Sequence, residues 1–272
     1  MDFSADNRGR SIFNLKLVHN RHWLDAAGSE WRNILRLGSS PLLGTEWYRP
    51  MAWHLPDGLS GFVAVSGSSQ RRRFDVYLDP DGEVDARNER SQTQVALEAG
   101  LNWRELGEWR LGWVEQIGRD KPTLASAAYE LARPAPSLVE RWRESGWRLK
   151  AVFDQLDHAY FRSKGWRLEG QWFQGQGRNR QDSSYTAGYL RVLDLQGQWV
   201  ASTGPHTVSL MGRLALSEGA QPAIGRFALG GFQQLSGYAP SQVAGSQVAL
   251  LRLGYHVRLS DMLLTRGLFA GT

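Results

Sequence analysis

Between Leu251 and Leu259 the chain alternates without a break. Leu251, Leu253, Tyr255, Val257 and Leu259 occupy one set of positions, and Arg252, Gly254, His256 and Arg258 the other. A period of two belongs to an extended strand, which sends successive side chains to opposite faces. Arginines in the middle of a strand cannot face an ordinary protein core unless each is paired. They can face water inside a barrel while the apolar set faces lipid. Just before this strand runs the segment GRFALGGFQQLSGYAPSQVAG (225–245), rich in Gly and Gln, with turn signals at Gly230-Gly231 and Ser236-Gly237.

The same two-faced pattern recurs along the chain. Ser11–His22 sets Phe13, Leu15 and Leu17 against Asn14, Lys16 and Val18, and Glu30–Leu37 sets Trp31, Leu35 and Leu37 against Glu30, Arg32 and Arg36. Further strands are expected at Gly44–Met51, Gly61–Ser66, Ser91–Leu101, around Trp109, Leu111 and Trp113, at Gly146–Asp154, Gly165–Phe173, Tyr185–Leu195, His206–Leu216 and Met262–Phe269. Residues 2–10 read as a polar turn. The connections alternate in length: short near 24–29, 56–60, 102–107, 157–165, 196–204 and 260–261, long near 69–89, 119–145, 174–183 and 219–246, with Ser137–Glu144 inside the second of the long ones open to a helical turn or a strand extension. Short turns at one end and long loops at the other suit a membrane barrel and have no reason in a soluble sandwich.

Composition narrows the class. Of 272 residues 42% are hydrophobic and 22% charged, with 30 Gly and 12 Trp, as expected where only alternate residues need be apolar and aromatics collect at the interfaces. No apolar run is long enough for a transmembrane helix. The chain has no cysteine, so a disulfide framework and a thiolate zinc site are excluded. The net charge of +5 is spread along strands rather than gathered on one helix, which reads against nucleic acid and for a solvated lumen and rim. Met1-Asp2-Phe3 does not open a signal peptide.

Phe227, Leu229, Gly230, Gly231, Leu235, Gly237 and Tyr238 resemble the F-x-L-G-G…(V/I)-R-G-(F/Y) loop of the bacterial surface antigen barrels, the superfamily of BamA-type assembly proteins and two-partner secretion transporters. Ser236 stands where that loop carries its Arg, and the L-S-G-Y form preceded by G-G-F is similar to the barrel that follows the hydrolase domain of bacterial patatin-like phospholipases. Asp154-Gln155-Leu156-Asp157, Tyr160-Phe161-Arg162 and Gly165 resemble a second signature, L-D-x-x-(Y/F)-F-P-x-x-G, with Arg162 replacing the proline. The resemblance extends more weakly over almost the whole chain.

The resemblance implies an all-β fold: one antiparallel up-and-down transmembrane β-barrel domain over residues 1–272, with about twelve strands of a parent of roughly 16. It implies a lumen-inserted loop at 219–246, in which Phe227, Leu229, Gly230, Gly231, Leu235, Ser236, Gly237 and Tyr238 form the loop motif. Asp154, Leu156, Asp157, Tyr160, Phe161 and Gly165 form the strand-turn motif. Aligned on the family, the chain starts after the first strand and stops about three strands early, so an incomplete barrel is expected. The implied work is to anchor, insert or translocate a passenger protein across the bacterial outer membrane. A porin-like passive channel, or a non-functional fragment of a patatin-like phospholipase autotransporter, is the alternative. Implied partners are outer-membrane lipid and lipopolysaccharide, a passenger domain or secreted protein, the outer-membrane assembly machinery and a second copy of the chain, with no nucleic acid.

No catalytic, cofactor or metal residue is expected. His19 and His22 fall on opposite faces of a strand and are poor co-ligands. Gly58-Leu59-Ser60-Gly61 has the wrong spacing for a nucleophile elbow, so any hydrolase activity would belong to a separate patatin-like domain. Gly175-Gln176-Gly177 lacks the third glycine of a phosphate cradle and reads as loop. Arg71–Arg73 and Arg178/Arg180 fall in predicted long loops, where they could meet lipopolysaccharide phosphates, solvated loop charge being the plainer reading. The tryptophans read as an interfacial girdle and lipid-facing wall.

Overall fold

The computed structural model of the chain describes residues 2–5, 11–54, 58–77, 83–103, 106–126, 139–158, 162–181, 184–220, 227–231 and 234–258. Its strands are β1 (Asp2–Ala5), β2 (Ser11–Arg21), β3 (Glu30–Gly38), β4 (Leu42–His54), β5 (Leu59–Val76), β6 (Ala86–Trp103) and β7 (Gly107–Ala125), then β8 (Glu140–Asp154), β9 (Gly165–Gln181), β10 (Ser184–Thr203), β11 (His206–Gly219), β12 (Phe227–Leu229), β13 (Val243–Gly245) and β14 (Gln247–Val257). Twelve of them form one antiparallel sheet in chain order, β1 through β11 and then β14. The short pair β12–β13 sits in the connection between β11 and β14. This is the all-β, up-and-down architecture that the alternation predicts. Among the described residues no pairing joins β1 to β14, which stand at the two edges of the described sheet.

The two faces are inverted relative to a soluble protein. On β6, Leu97 is 62% exposed, while its neighbour Glu98, pointing the other way, is 4% exposed. Of the eleven tryptophans whose side chains are described, ten are exposed, including Trp103 and Trp109 beside one short turn, Trp166 opposite Trp199, and Trp113 opposite Trp147. Burying such a surface in an apolar medium is favourable, at about 25 cal/mol per Å². From Trp103 to Val95 the outward apolar set of β6 spans about 27 Å of strand, or roughly 20 Å of height at a ~40° tilt, near the ~25 Å apolar band of an outer-membrane barrel.

The inner face is concave. Arg110 on β7 donates to Glu46 on β4 at 2.6 Å, although a flat sheet would hold strands three apart at about 14 Å. Tyr48 on β4 accepts from Asn102 on β6 at 2.7 Å across β5, and Arg148 on β8 reaches Glu98 on β6 at 2.9 Å across β7. These contacts follow from a sheet curled toward this side.

Strand lengths depart from expectation. Where described, the polar stretches near 69–89, 119–145 and 174–183, expected as long loops, are largely strand: β5 runs to Val76, β6 begins at Ala86, β7 runs to Ala125, β8 begins at Glu140 and β9 runs to Gln181. Gly175-Gln176-Gly177 therefore lies inside β9, and Arg71–Arg73, Arg178 and Arg180 are strand residues. The cause is that above the apolar band both faces are polar, so composition resembles loop while backbone pairing continues unbroken. Residues 2–5 form β1 rather than a turn. The strand expected to end near Pro50 continues to His54, with a register shift between Pro50 and His54, since proline removes a ladder donor without forbidding extended backbone. The strand expected at Met262–Phe269 lies outside the described residues.

In the upper half of the inner face, Arg90 donates from Nε to Asp120 at 2.7 Å and from Nη2 to its second oxygen, with side chains 8% and 2% exposed. Removing one partner leaves an uncompensated buried charge. Asp120→Ala is therefore expected to destabilise the folded sheet by about 3–5 kcal/mol, while Asp120→Ala combined with Arg90→Met recovers much of the loss. Urea unfolding of the refolded protein, followed by tryptophan fluorescence, measures both.

Candidate functional site

The long connection between β11 and β14 folds over the inner face. Phe227 and Leu229 on β12 are buried and join a cluster with Phe173, Leu190, Val192, Ala215 and Val248, with Leu235 and Leu250 packed against it. The wall members come from β9, β10, β11 and β14 and point away from exposed neighbours such as Trp172, Leu214 and Leu251, so the loop lies on the lumen side. A second, smaller apolar cluster on this face, Tyr48, Phe62 and Ala64, lies on β4 and β5, away from the loop.

The loop is itself tightly tied. β12 pairs with β13, Phe227 opposite Gly245 and Leu229 opposite Val243. Gly231 donates to the Tyr238 carbonyl at 2.9 Å, Tyr238 to that of Leu235 at 2.9 Å, and the Ala239 amide donates to the Gln242 side chain at 2.7 Å. Gly230 has φ +131°, and a β-carbon there would lie 2.0 Å from the Ala239 carbonyl oxygen. That clash explains the second residue of the L-G-G signature. Ser236, Gly237 and Tyr238 are exposed at the tip. Beneath the Phe227 ring, Arg213 stands at 5.8 Å from the centroid while its Nη2 pairs with Asp194 at 2.9 Å. The wall beneath the loop thus carries its own acid–base pair, whereas Ser236 makes no side-chain hydrogen bond among the described residues.

The lower half of the inner face is a continuous series of charges. Arg32 pairs with Glu30 at 2.8 Å and Glu46 at 3.0 Å; Arg110 pairs with Glu46, with Glu108 at 2.7 Å and more loosely with Glu98 at 3.8 Å; Arg148 closes the series on Glu98. Arg110 also lies over Phe62 at 5.2 Å and Arg32 over Tyr48 at 4.4 Å. Alternation marks these residues as one polar face, but the pairings depend on curvature and cannot be read from spacing. The arrangement lays a chain of paired charges along the concave face. Among the described residues no group of His, Asp or Glu could hold a metal ion.

The strand-turn signature forms the β8–β9 connection. Asp154 pairs with Arg167 at 2.9 Å and accepts from the Leu156 amide at 3.2 Å. Asp157 accepts from the Ser163 amide at 3.0 Å, from the Ser163 hydroxyl, and from the His158 amide at 3.0 Å. Gly165 has φ +113°, and a β-carbon there would meet the Gln155 carbonyl oxygen at 2.0 Å. Tyr160 and Phe161 lie outside the described residues. The loop motif and the turn motif sit at opposite ends of the sheet.

The hydrogen bonds from Ser163 hold the Asp157 carboxyl well below its ordinary value of 3.8. A depressed carboxyl stabilises the fold at every pH above its unfolded value, and that contribution is lost as pH falls through the folded one. The turn should therefore stay closed through pH 4, with Asp157 titrating by carbon NMR below the range of the other carboxylates; an ordinary midpoint would remove the Ser163 clasp. Separately, Gly230→Ala should lower the melting temperature and expose the amides of 227–245 to hydrogen exchange, whereas Gly237→Ala, with open space around it, should do neither.

No protein-family model matches the sequence, and no curated protein does. The solved structure of BamA from Haemophilus ducreyi lacking POTRA domains 1-3 superposes with a TM-score of 0.54 at 12% identity, covering 88% of this chain. The chain spans 44% of the length of that one. The likeness is one of fold: this sheet is built like part of the wall of a BamA barrel.

Proposed function

We propose that this chain is the barrel wall of a bacterial outer-membrane protein that anchors, inserts or translocates a passenger across that membrane. The observation that carries this reading is the pairing of an inverted sheet with a structured loop fixed to its inner face by Phe227 and Leu229. The likeness to BamA supports the barrel, and the F-A-L-G-G and L-S-G-Y residues of the loop support a relation to surface antigen barrels, including those that follow patatin-like domains. Hydrolytic chemistry would belong to such a domain. The assembly machinery would be a transient partner during insertion, and a second copy or further strands would meet the edges of the described sheet, since unpaired backbone in lipid is costly.

The test is export. The chain is placed behind a signal sequence with a folded reporter at its N-terminus, in a Gram-negative host. Urea-resistant membrane association, with the reporter digested by external protease on intact cells, is the expected result. A reporter that remains inside cells, or a chain washed off by urea, overturns the reading.

A passive channel is the second reading, favoured by the charged inner face. It is separable by conductance in planar bilayers. The loop predicts little steady conductance for the intact chain and at least a severalfold increase when residues 227–245 are replaced by a short glycine linker. Large steady conductance by the intact chain would favour the channel.

A further inference from the structure

Above the apolar band, the outer faces of β7, β8 and β9 carry arginines in register. Arg119 stands opposite Arg141, and Arg141 opposite Arg180. One row nearer the band, Arg143 stands opposite Arg178, with Ile117 on its other side. All five arginines are exposed and line one shallow depression, with Ile117 at its lower edge. Like charges directly opposite in a sheet are destabilising. Elsewhere on the same rim the cost is met by acids: Glu89 lies 3.5 Å from Arg71 and 3.3 Å from Arg73, and Asp75 lies 3.0 Å from Arg87. Within the cluster Glu115 pairs with Arg143 at 2.5 Å. Among the described residues no carboxylate stands within ion-pairing distance of Arg119, Arg141, Arg178 or Arg180.

We propose that this cluster is a binding site for the phosphate groups of a phosphorylated glycolipid, of the lipid A type, in the outer leaflet. Guanidinium forks bind phosphate bidentately and are the usual choice for it. The height is right for a headgroup rather than a soluble anion. Arg143 lies four residues along β8 beyond the outward Trp147, about 13 Å of strand and roughly 10 Å above it at barrel tilt. Ile117, 51% exposed, adjoins the arginines where an acyl chain would descend. A phosphate between the two rows would neutralise charges that otherwise repel. This inference rests on the membrane placement proposed above and adds the lipid that the outer rim selects.

The test uses the full chain refolded in detergent and moved to phosphatidylcholine nanodiscs, with heat-modifiable gel mobility as the check on folding. Retention of bisphosphorylated lipid A is compared with that of its dephosphorylated form by native mass spectrometry. Binding at least about tenfold tighter to the phosphorylated form, lost in Arg141→Gln/Arg180→Gln and kept in Arg71→Gln/Arg73→Gln, is expected. The Arg141→Gln/Arg180→Gln protein should also melt no lower than the parent in lipid-free detergent, because the substitutions relieve repulsion. Equal binding of the two lipids, or unchanged binding in Arg141→Gln/Arg180→Gln, overturns the site while leaving the barrel reading intact. A chain that never shifts in mobility and stays soluble without detergent overturns both.

Discussion

The architecture depends on one electrostatic constraint: the charges on the concave face must be held against each other. Glu98, 4% exposed, would be costly there without Arg148 and Arg110. Arg110 in turn is held between Glu46, Glu108 and the Phe62 ring. These partners come from β4, β5, β6, β7 and β8, so they meet only when the sheet curls. Once the charged face is concave, the alternating backbone sends Trp, Leu and Val to the convex face, and the inverted surface follows from strand geometry.

The same constraint positions the loop. Between β9 and β14 the inner face carries Phe173, Leu190, Val192, Ala215 and Val248, and Phe227 and Leu229 cover them. Ion pairs thus dominate the concave face between β3 and β8, and the apolar cluster under the loop dominates it between β9 and β14. The Asp194–Arg213 pair lies within the second region, its guanidinium under the Phe227 ring. A surface organised this way combines a polar inner face with a region that the loop covers.

Much of this was legible in the sequence. Gly146–Asp154 showed its strand because Trp147, Leu149, Ala151 and Phe153 contrast with Arg148, Lys150 and Asp154. Residues 140–145 belong to the same strand but left a helical turn and a strand extension equally open, since Arg141 and Arg143 point outward and Trp142 and Glu144 inward. Above the apolar band the period of two persists while the chemistry of the faces changes, and a reader keyed to apolar contrast sees only loop. Arg71-Arg72-Arg73 is the extreme case, three like residues that the strand sends outward, inward and outward. The glycine-rich loop was legible as a lumen segment by its resemblance, and Gly230 and Gly165 have a steric reason to be glycine. The wall residues that receive the loop were not legible, because contacts such as Phe227 with Phe173 depend on curvature rather than spacing.

The central claim is that the two faces of this sheet meet different solvents, and β6 tests it most directly. The chain contains no cysteine, so single cysteines can be placed along Gln92 to Leu101 and spin-labelled without background. The account predicts a period of two in accessibility: labels at Val95, Leu97, Ala99 and Leu101 relaxed by oxygen dissolved in the bilayer, and labels at Gln92, Gln94 and Ala96 relaxed by a water-soluble nickel complex. Uniform accessibility to the nickel complex along the strand, or alternation with the two sets exchanged, would contradict it.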